Sequence, residues 1–169
     1  MDAVGPVRNH EFELPTEWNV VTHTIIACAM EVHTMLGPGL LERLYEEAMA
    51  YELGRRGMVF QRQFPIRMRY KNIELPEQRL DLVVENLVVV ELKAIESVAD
   101  NQLAQLTSYL RSASLPLGLL INFNCARLKD GIYRRINSSS RVPGIRSNSV
   151  PTPRSSAPSA SSAFSSLPE

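Results

Sequence analysis

Two runs decide the fold: Arg79-Leu80-Asp81-Leu82-Val83-Val84 and Val88-Val89-Val90-Glu91-Leu92-Lys93. Both are strand-like, and Glu85-Asn86 between them reads as a hairpin turn. Strand side chains point to alternate faces, so Glu91 and Lys93 share one face of the second strand. Leu80, Leu82 and Val84 form the apolar face of the first strand, and Val88, Val90 and Leu92 that of the second. For these faces to coincide, Asp81 must lie on the side of Glu91 and Lys93. A strict two-residue turn would pair Asp81 with Val90 and put the two carboxylates on opposite faces. The pattern therefore predicts a three-residue loop or a bulge, with Asp81 opposite or nearly opposite Glu91.

Upstream of the hairpin, Val21, Ile25, Cys28, Ala29, Val32, Met35 and Leu36 recur at helical spacing over residues 17–36. Gly37-Pro38-Gly39 breaks that helix. A second helix is expected over Leu40–Arg56, with Leu41, Leu44, Tyr45, Ala48 and Tyr51 on one face and Gly57 as its cap. Val59–Phe64 and Ile66–Tyr70 read as strand, interrupted by Pro65 at an edge or bulge. Downstream, Leu103, Leu106 and Leu110 restore helical spacing. Leu117-Gly118-Leu119-Leu120-Ile121-Asn122-Phe123 suits a central strand covered on both faces. Lys129-Asp130-Gly131 is a turn, and Ile132–Ile136 a last edge strand. The order α-α-β-β-β-α-β-β predicts a mixed sheet flanked by helices, one α/β domain over about residues 16–136.

The chain has 169 residues, with 18 Lys+Arg balanced by 18 Asp+Glu. Zero net charge excludes a strongly basic nucleic-acid coat protein and an acidic solvating tail protein. Nucleic-acid contact then needs a local patch or a bound metal. Residues 137–169 hold 12 Ser and 5 Pro among 33 residues, with no hydrophobic period. That composition predicts a disordered tail, and residues 1–15 a flexible N-terminal segment. Cys28 and Cys125 stand apart among apolar neighbours, which excludes a disulfide framework and suits a reducing cytoplasm. The acidic N-terminus does not read as a secretory signal. No run approaches the about 20 apolar residues of a membrane span, so no membrane partner is expected.

Asp81 and Glu91 on neighbouring apolar strands would repel each other. A divalent cation resolves that repulsion. Mg²⁺, with Mn²⁺ as its substitute, takes oxygen ligands and commonly uses one or two carboxylates plus water. The Leu92 backbone carbonyl lies in the same segment as a further ligand. Lys93 is placed to orient or help deprotonate an attacking water. The competing reading is a solvated Glu91–Lys93 ion pair, which contributes little.

The segment His33-Thr34-Met35-Leu36-Gly37-Pro38-Gly39-Leu40-Leu41-Glu42-Arg43-Leu44-Tyr45-Glu46 resembles the signature of the GxxExxY proteins, with Gly39, Glu42 and Tyr45 as the motif residues. The likeness continues, in order, through Arg79-Leu80-Asp81, Glu91-Leu92-Lys93-Ala94, Ala104-Gln105-Leu106, Tyr109-Leu110, Gly118–Phe123 and Leu128–Ile132. It ends at Arg134-Arg135 and so covers nearly all of residues 17–136. That family is placed in the PD-(D/E)XK nuclease superfamily, mostly metal-dependent phosphodiesterases acting on DNA or RNA. The resemblance implies a restriction-endonuclease-like fold. It also implies that Glu42 is the carboxylate of the first-motif helix, Asp81 the metal-binding acid and Glu91 and Lys93 the ExK pair. Gln105 would be the polar residue of the following helix. Glu42 would reach the metal directly or through water.

Several of these residues have a plainer reading. Glu42 sits in the first turn of its helix, where the dipole favours a carboxylate. Gln105 and Tyr109 share a helix face and suit Lys93, a nucleic-acid backbone or a simple surface hydrogen bond. Tyr45 falls on the apolar face, which favours core packing. His33 has no Cys or second His at ligand spacing, which favours a structural role. Arg67, Arg69 and Lys71 alternate with Ile66, Met68 and Tyr70, and Arg79 is near in sequence to the hairpin. This strip either guides phosphates or protects an edge strand by charge. The sequence thus points to a Mg²⁺-dependent nuclease, with DNA as the expected substrate. The alternative is a non-cleaving nucleic-acid-binding or protein-assembly module on the same fold. Oligomeric state stays open, a homodimer included.

Overall fold

The two leading helices are set by apolar periodicity. In a computed structural model that describes residues 15–137, α1 spans Thr16–Leu36 and buries Ile25, Cys28, Ala29 and Val32 on one face. Gly37, at φ 67°, ends it, and its N–H donates to the His33 carbonyl at 2.9 Å. Helix α2 spans Glu42–Arg55 and buries Tyr45, Glu46, Met49 and Leu53. It starts two residues later than expected, since Leu41 keeps an extended backbone as its N-cap, and the Leu40 N–H donates to the Tyr45 hydroxyl at 3.1 Å. The same hydroxyl donates to the Gly37 carbonyl at 2.7 Å, so Tyr45 ties down the connection between the helices. Its ring stacks on Phe123 at 4.4 Å.

The rest of the chain builds the sheet. Strands β1 (Phe60–Ile66), β2 (Arg69–Tyr70), β3 (Ile73–Glu74), β4 (Gln78–Val84) and β5 (Val88–Lys93) precede α3 (Asp100–Ala113). Strand β6 (Leu117–Asn122), a 3-10 turn over Leu128–Gly131 and β7 (Ile132–Ile136) follow. The main sheet has the order β1-β4-β5-β6-β7, while β2 and β3 form a separate small hairpin. Strands β5 and β6 are parallel and the other neighbours antiparallel. Helix α3 is the crossover that a parallel pair requires. This is a mixed sheet flanked by three helices, consistent with a restriction-endonuclease-like α/β fold.

Each face of the sheet has its own core. One gathers α1 and α2 over Leu82, Val84, Val88, Val90, Leu92, Leu119 and Ile121. The other packs Leu103, Leu106, Tyr109 and Leu110 of α3 against Val83, Val89 and Leu120. All six residues of β6 are buried, as its unbroken apolar run predicts. Helix α3 lies so close to β6 that a Cβ on Gly118 would sit 2.9 Å from a Leu106 methyl.

The β4–β5 loop has three residues, Glu85-Asn86-Leu87, since Val84 pairs with Val88, Val83 with Val89 and Leu82 with Val90. Four expectations need correction. Leu80 does not share a face with Leu82 and Val84: it packs on the α3 side. The cause is local. The β1–β4 pairing runs Arg62↔Leu82 and then Phe64↔Leu80, skipping Gln63 and Asp81, and Gln63 sits at φ 48°. Even-numbered residues of both strands change faces across that irregularity. Pro65 does not interrupt its strand: it pairs with Arg79 inside β1. An edge strand tolerates the missing N–H.

Consequently, Arg67, Arg69 and Lys71 do not line one strand face. Arg67 lies beyond β1, Arg69 is in β2, and Lys71 is in the turn at φ 54°. Asn137, assigned to the tail, is buried, and its side chain donates to the carbonyls of Leu110 and Leu115. The other expectations for the two ends fall on residues 1–14 and 138–169, outside the described residues.

Candidate active site

The irregularity between β1 and β4 has a counterpart between β4 and β5. Their paired residues stop at Leu82↔Val90, and the register beyond would set Asp81 against Glu91. There the Asp81 side chain takes over from the backbone: its Oδ2 accepts the Leu92 N–H at 2.8 Å. The carboxylate thereby satisfies a strand N–H and is fixed beside Glu91. Strand β5 carries Glu91, only 6% exposed, and Lys93 further along. The Lys93 Nζ lies 3.6 Å from Glu91 Oε2 and 3.9 Å from Glu42 Oε1. Glu42 is the first residue of α2, and it also accepts a hydrogen bond from the Ala94 backbone. The structure thus brings together Glu42, Asp81, Glu91 and Lys93 from three elements.

Burial is the main force on these acids. It pushes Glu91 up to about 7, with Asp81 adding repulsion that Lys93 only partly offsets. Burial also raises Asp81, against the Leu92 N–H and Lys93. Glu42 is raised by burial too, with Lys93 opposing. Most telling is Glu91 Oε1, which is buried and has no hydrogen-bond partner among the described residues. A buried lone oxygen beside a second carboxylate costs free energy that a cation would recover. Among the described residues, no three His, Cys, Asp or Glu side chains form a ready-made cage. Two carboxylates, a backbone oxygen and water do fit the coordination habit of Mg²⁺, which keeps several of its waters.

Other candidates take different places. Tyr109 is buried on α3, and burial raises its hydroxyl, with Glu91 and Asp81 contributing. It stands close enough to feel the site, yet under it. Gln105 is exposed on α3, and its side chain makes no hydrogen bond to any described residue, Lys93 included. Arg67 and Arg79 both pair with Glu77, at 3.6 and 3.0 Å. Lys71 lies over the Tyr70 ring. His33 bonds the Cys125 carbonyl at 2.8 Å and has the structural role its isolation implied.

Three residues next to the site escape a reading by motif. Glu46, one helical turn after Glu42, is buried. Arg62 donates to it at 2.9 Å and also holds Glu47 with two bonds. Gln63 donates to the other Glu46 oxygen at 2.9 Å. The only available signal was the i, i+4 spacing of Glu42 and Glu46, since β1 is distant in sequence. Asn122 is the last residue of β6. Its side chain bonds both the N–H and the C=O of Ile95, at 3.1 and 2.8 Å, and so fixes the loop that follows Lys93.

A buried acid pair and a lysine at the splayed end of such a sheet define a nuclease-like α/β domain. The family model for the PD-(D/E)XK nuclease superfamily matches residues 19–136, and the chain belongs to that superfamily. No curated protein and no solved structure matches it. Superfamily members generally use divalent metals, and membership implies a nucleic-acid substrate. Among the described residues, no helix is long and apolar enough to cross a membrane.

Proposed function

We propose that the protein is a Mg²⁺-dependent phosphodiesterase that cleaves DNA, a GxxExxY-type member of its superfamily. The observation that carries this reading is the unpartnered, buried Glu91 Oε1 beside Asp81, with Lys93 at hand. Asp81, Glu91 and the Leu92 carbonyl would hold the metal, with Glu42 adding a direct or water-mediated contact. When bound, the cation supplies a Lewis acid that acidifies water and offsets charge building on the phosphate. The protein's own contribution is placement. Leu92 N–H keeps Asp81 aimed, and the Glu42–Lys93–Glu91 chain of charges sets the lysine where it orients the attacking water. Arg67, Arg69, Lys71 and Arg79 would meet phosphates from the exposed edge. Gln105 would orient substrate from α3, and Tyr109 would support the site from beneath. The two free thiols suit a reducing cytoplasm.

The test is cleavage of linear, circular and single-stranded DNA and of RNA, in Mg²⁺, in Mn²⁺ and in chelator, beside Lys93→Ala and Asp81→Ala. The expected result is metal-dependent DNA cleavage that both variants lose by about a hundredfold or more. A folded, metal-loaded protein that cleaves none of the substrates overturns the catalytic reading.

A further inference from the structure

Gln63 combines three properties that no neighbouring residue shares. It adopts φ 48°, in the left-handed region, within an edge strand. Such a conformation is uncommon for a residue other than glycine and persists only where surrounding contacts enforce it. It is the residue skipped in the β1–β4 pairing, directly across from Asp81. Its amide nitrogen donates to Glu46 Oε2 at 2.9 Å, and its side chain is near enough to the Asp81 carboxylate to oppose the upward push of burial on that acid.

We propose that Gln63 is a positioning residue for the metal-binding carboxylate Asp81. The inference rests on the metal-dependent reading above. Glu46 and Asp81 are two acids on adjoining elements, and their charges repel across a short gap. An amide has two N–H donors, so one side chain can serve both carboxylates. Arg62 anchors Glu46 from the other side, which makes Glu46 a fixed post for the Gln63 amide. Asp81 is then held by the Leu92 N–H on Oδ2 and flanked, across the skipped register, by the Gln63 side chain. The bent backbone at residue 63 is what turns this side chain toward the acids rather than along the edge. Outer residues that orient a ligand in this way tune metal affinity strongly.

The experiment measures Mn²⁺ binding by calorimetry, with thermal unfolding in chelator as the control for folding. Gln63→Leu keeps the bulk and removes the donors, and its Mn²⁺ dissociation constant should rise on the order of tenfold. Gln63→Gly relaxes the backbone and also removes the amide. It should keep or raise the unfolding temperature while binding Mn²⁺ as weakly as the Leu variant. Gln63→Asn keeps the amide and tolerates positive φ, and should recover part of the affinity. If Gln63→Leu fails to fold, the Gly and Asn variants decide. Wild-type affinity in the Leu and Gly variants overturns the positioning role alone. A wild-type protein that takes up no Mn²⁺ overturns the metal reading, and this inference with it.

Discussion

The β4–β5 hairpin has two ends built by opposite rules. At the turn end, three residue pairs from Val84↔Val88 to Leu82↔Val90 follow one register, and all six residues are buried hydrophobes. At the other end that pairing stops, a side chain substitutes for a backbone acceptor, and three charged groups crowd together. The first end is satisfied in itself. The second leaves an oxygen without a partner. The contrast separates what holds the hairpin from what the hairpin holds, and mutations can address each end alone.

The largest effect on stability is expected at the turn end. Leu82→Ala deletes a fully buried side chain and should cost about 4 kcal/mol in chemical denaturation. The increase in unfolding temperature on adding Mg²⁺ should survive in that variant. Asp81→Asn should do the reverse. Its amide oxygen still accepts the Leu92 N–H, so stability in chelator stays near wild type while the Mg²⁺-linked stabilisation vanishes. Equal behaviour of the two variants would dissolve the distinction between the ends.

Acidity sharpens the comparison next. Glu91 is displaced upward from its ordinary 4.5 to about 7. Between those values the folded protein keeps a proton that the unfolded chain has released. Metal-free stability should therefore fall as pH rises through that window, by about 3 kcal/mol in all. Asp81 and Glu42 are raised as well and act with the same sign. Denaturant titrations in chelator across this range should show the slope, and Glu91→Gln should flatten most of it. A stability that rises with pH in the wild type would contradict the burial of this acid. The smallest effect belongs to the support of the open end. Tyr45→Phe removes the hydroxyl that ties Gly37 to Leu40 and should cost about 1 kcal/mol.

Side-chain parity was enough to place Asp81 near Glu91 and to require either a three-residue loop or a bulge, because a two-residue period allows only two answers. The same parity misassigned Leu80, since it assumes an unbroken strand and the break lies one residue away. Pro65 does occupy the expected edge strand, and the strand runs through it because an edge position has a donor to spare. The cluster of Glu46, Arg62 and Gln63 was illegible because it joins a helix to a strand 15 or more residues away, through side chains with no local period. Glu42, Asp81, Glu91 and Lys93 were legible because a family motif marks them. For Glu42, without that motif, the first-turn dipole is the better account of the residue.

The parallel pairing of β5 with β6 has a consequence for the order in which the molecule comes into being. The β4–β5 hairpin is local and can form early, but Glu91 is covered only when Leu120 of β6 comes alongside. On the ribosome, the hairpin emerges well before β6. Before β6 has docked, Glu91 lacks the neighbouring strand that lies alongside it in the finished sheet. The finished electrostatics of the site thus arrive with the closing of the sheet, so a growing chain carries these charged side chains before it has the field they share.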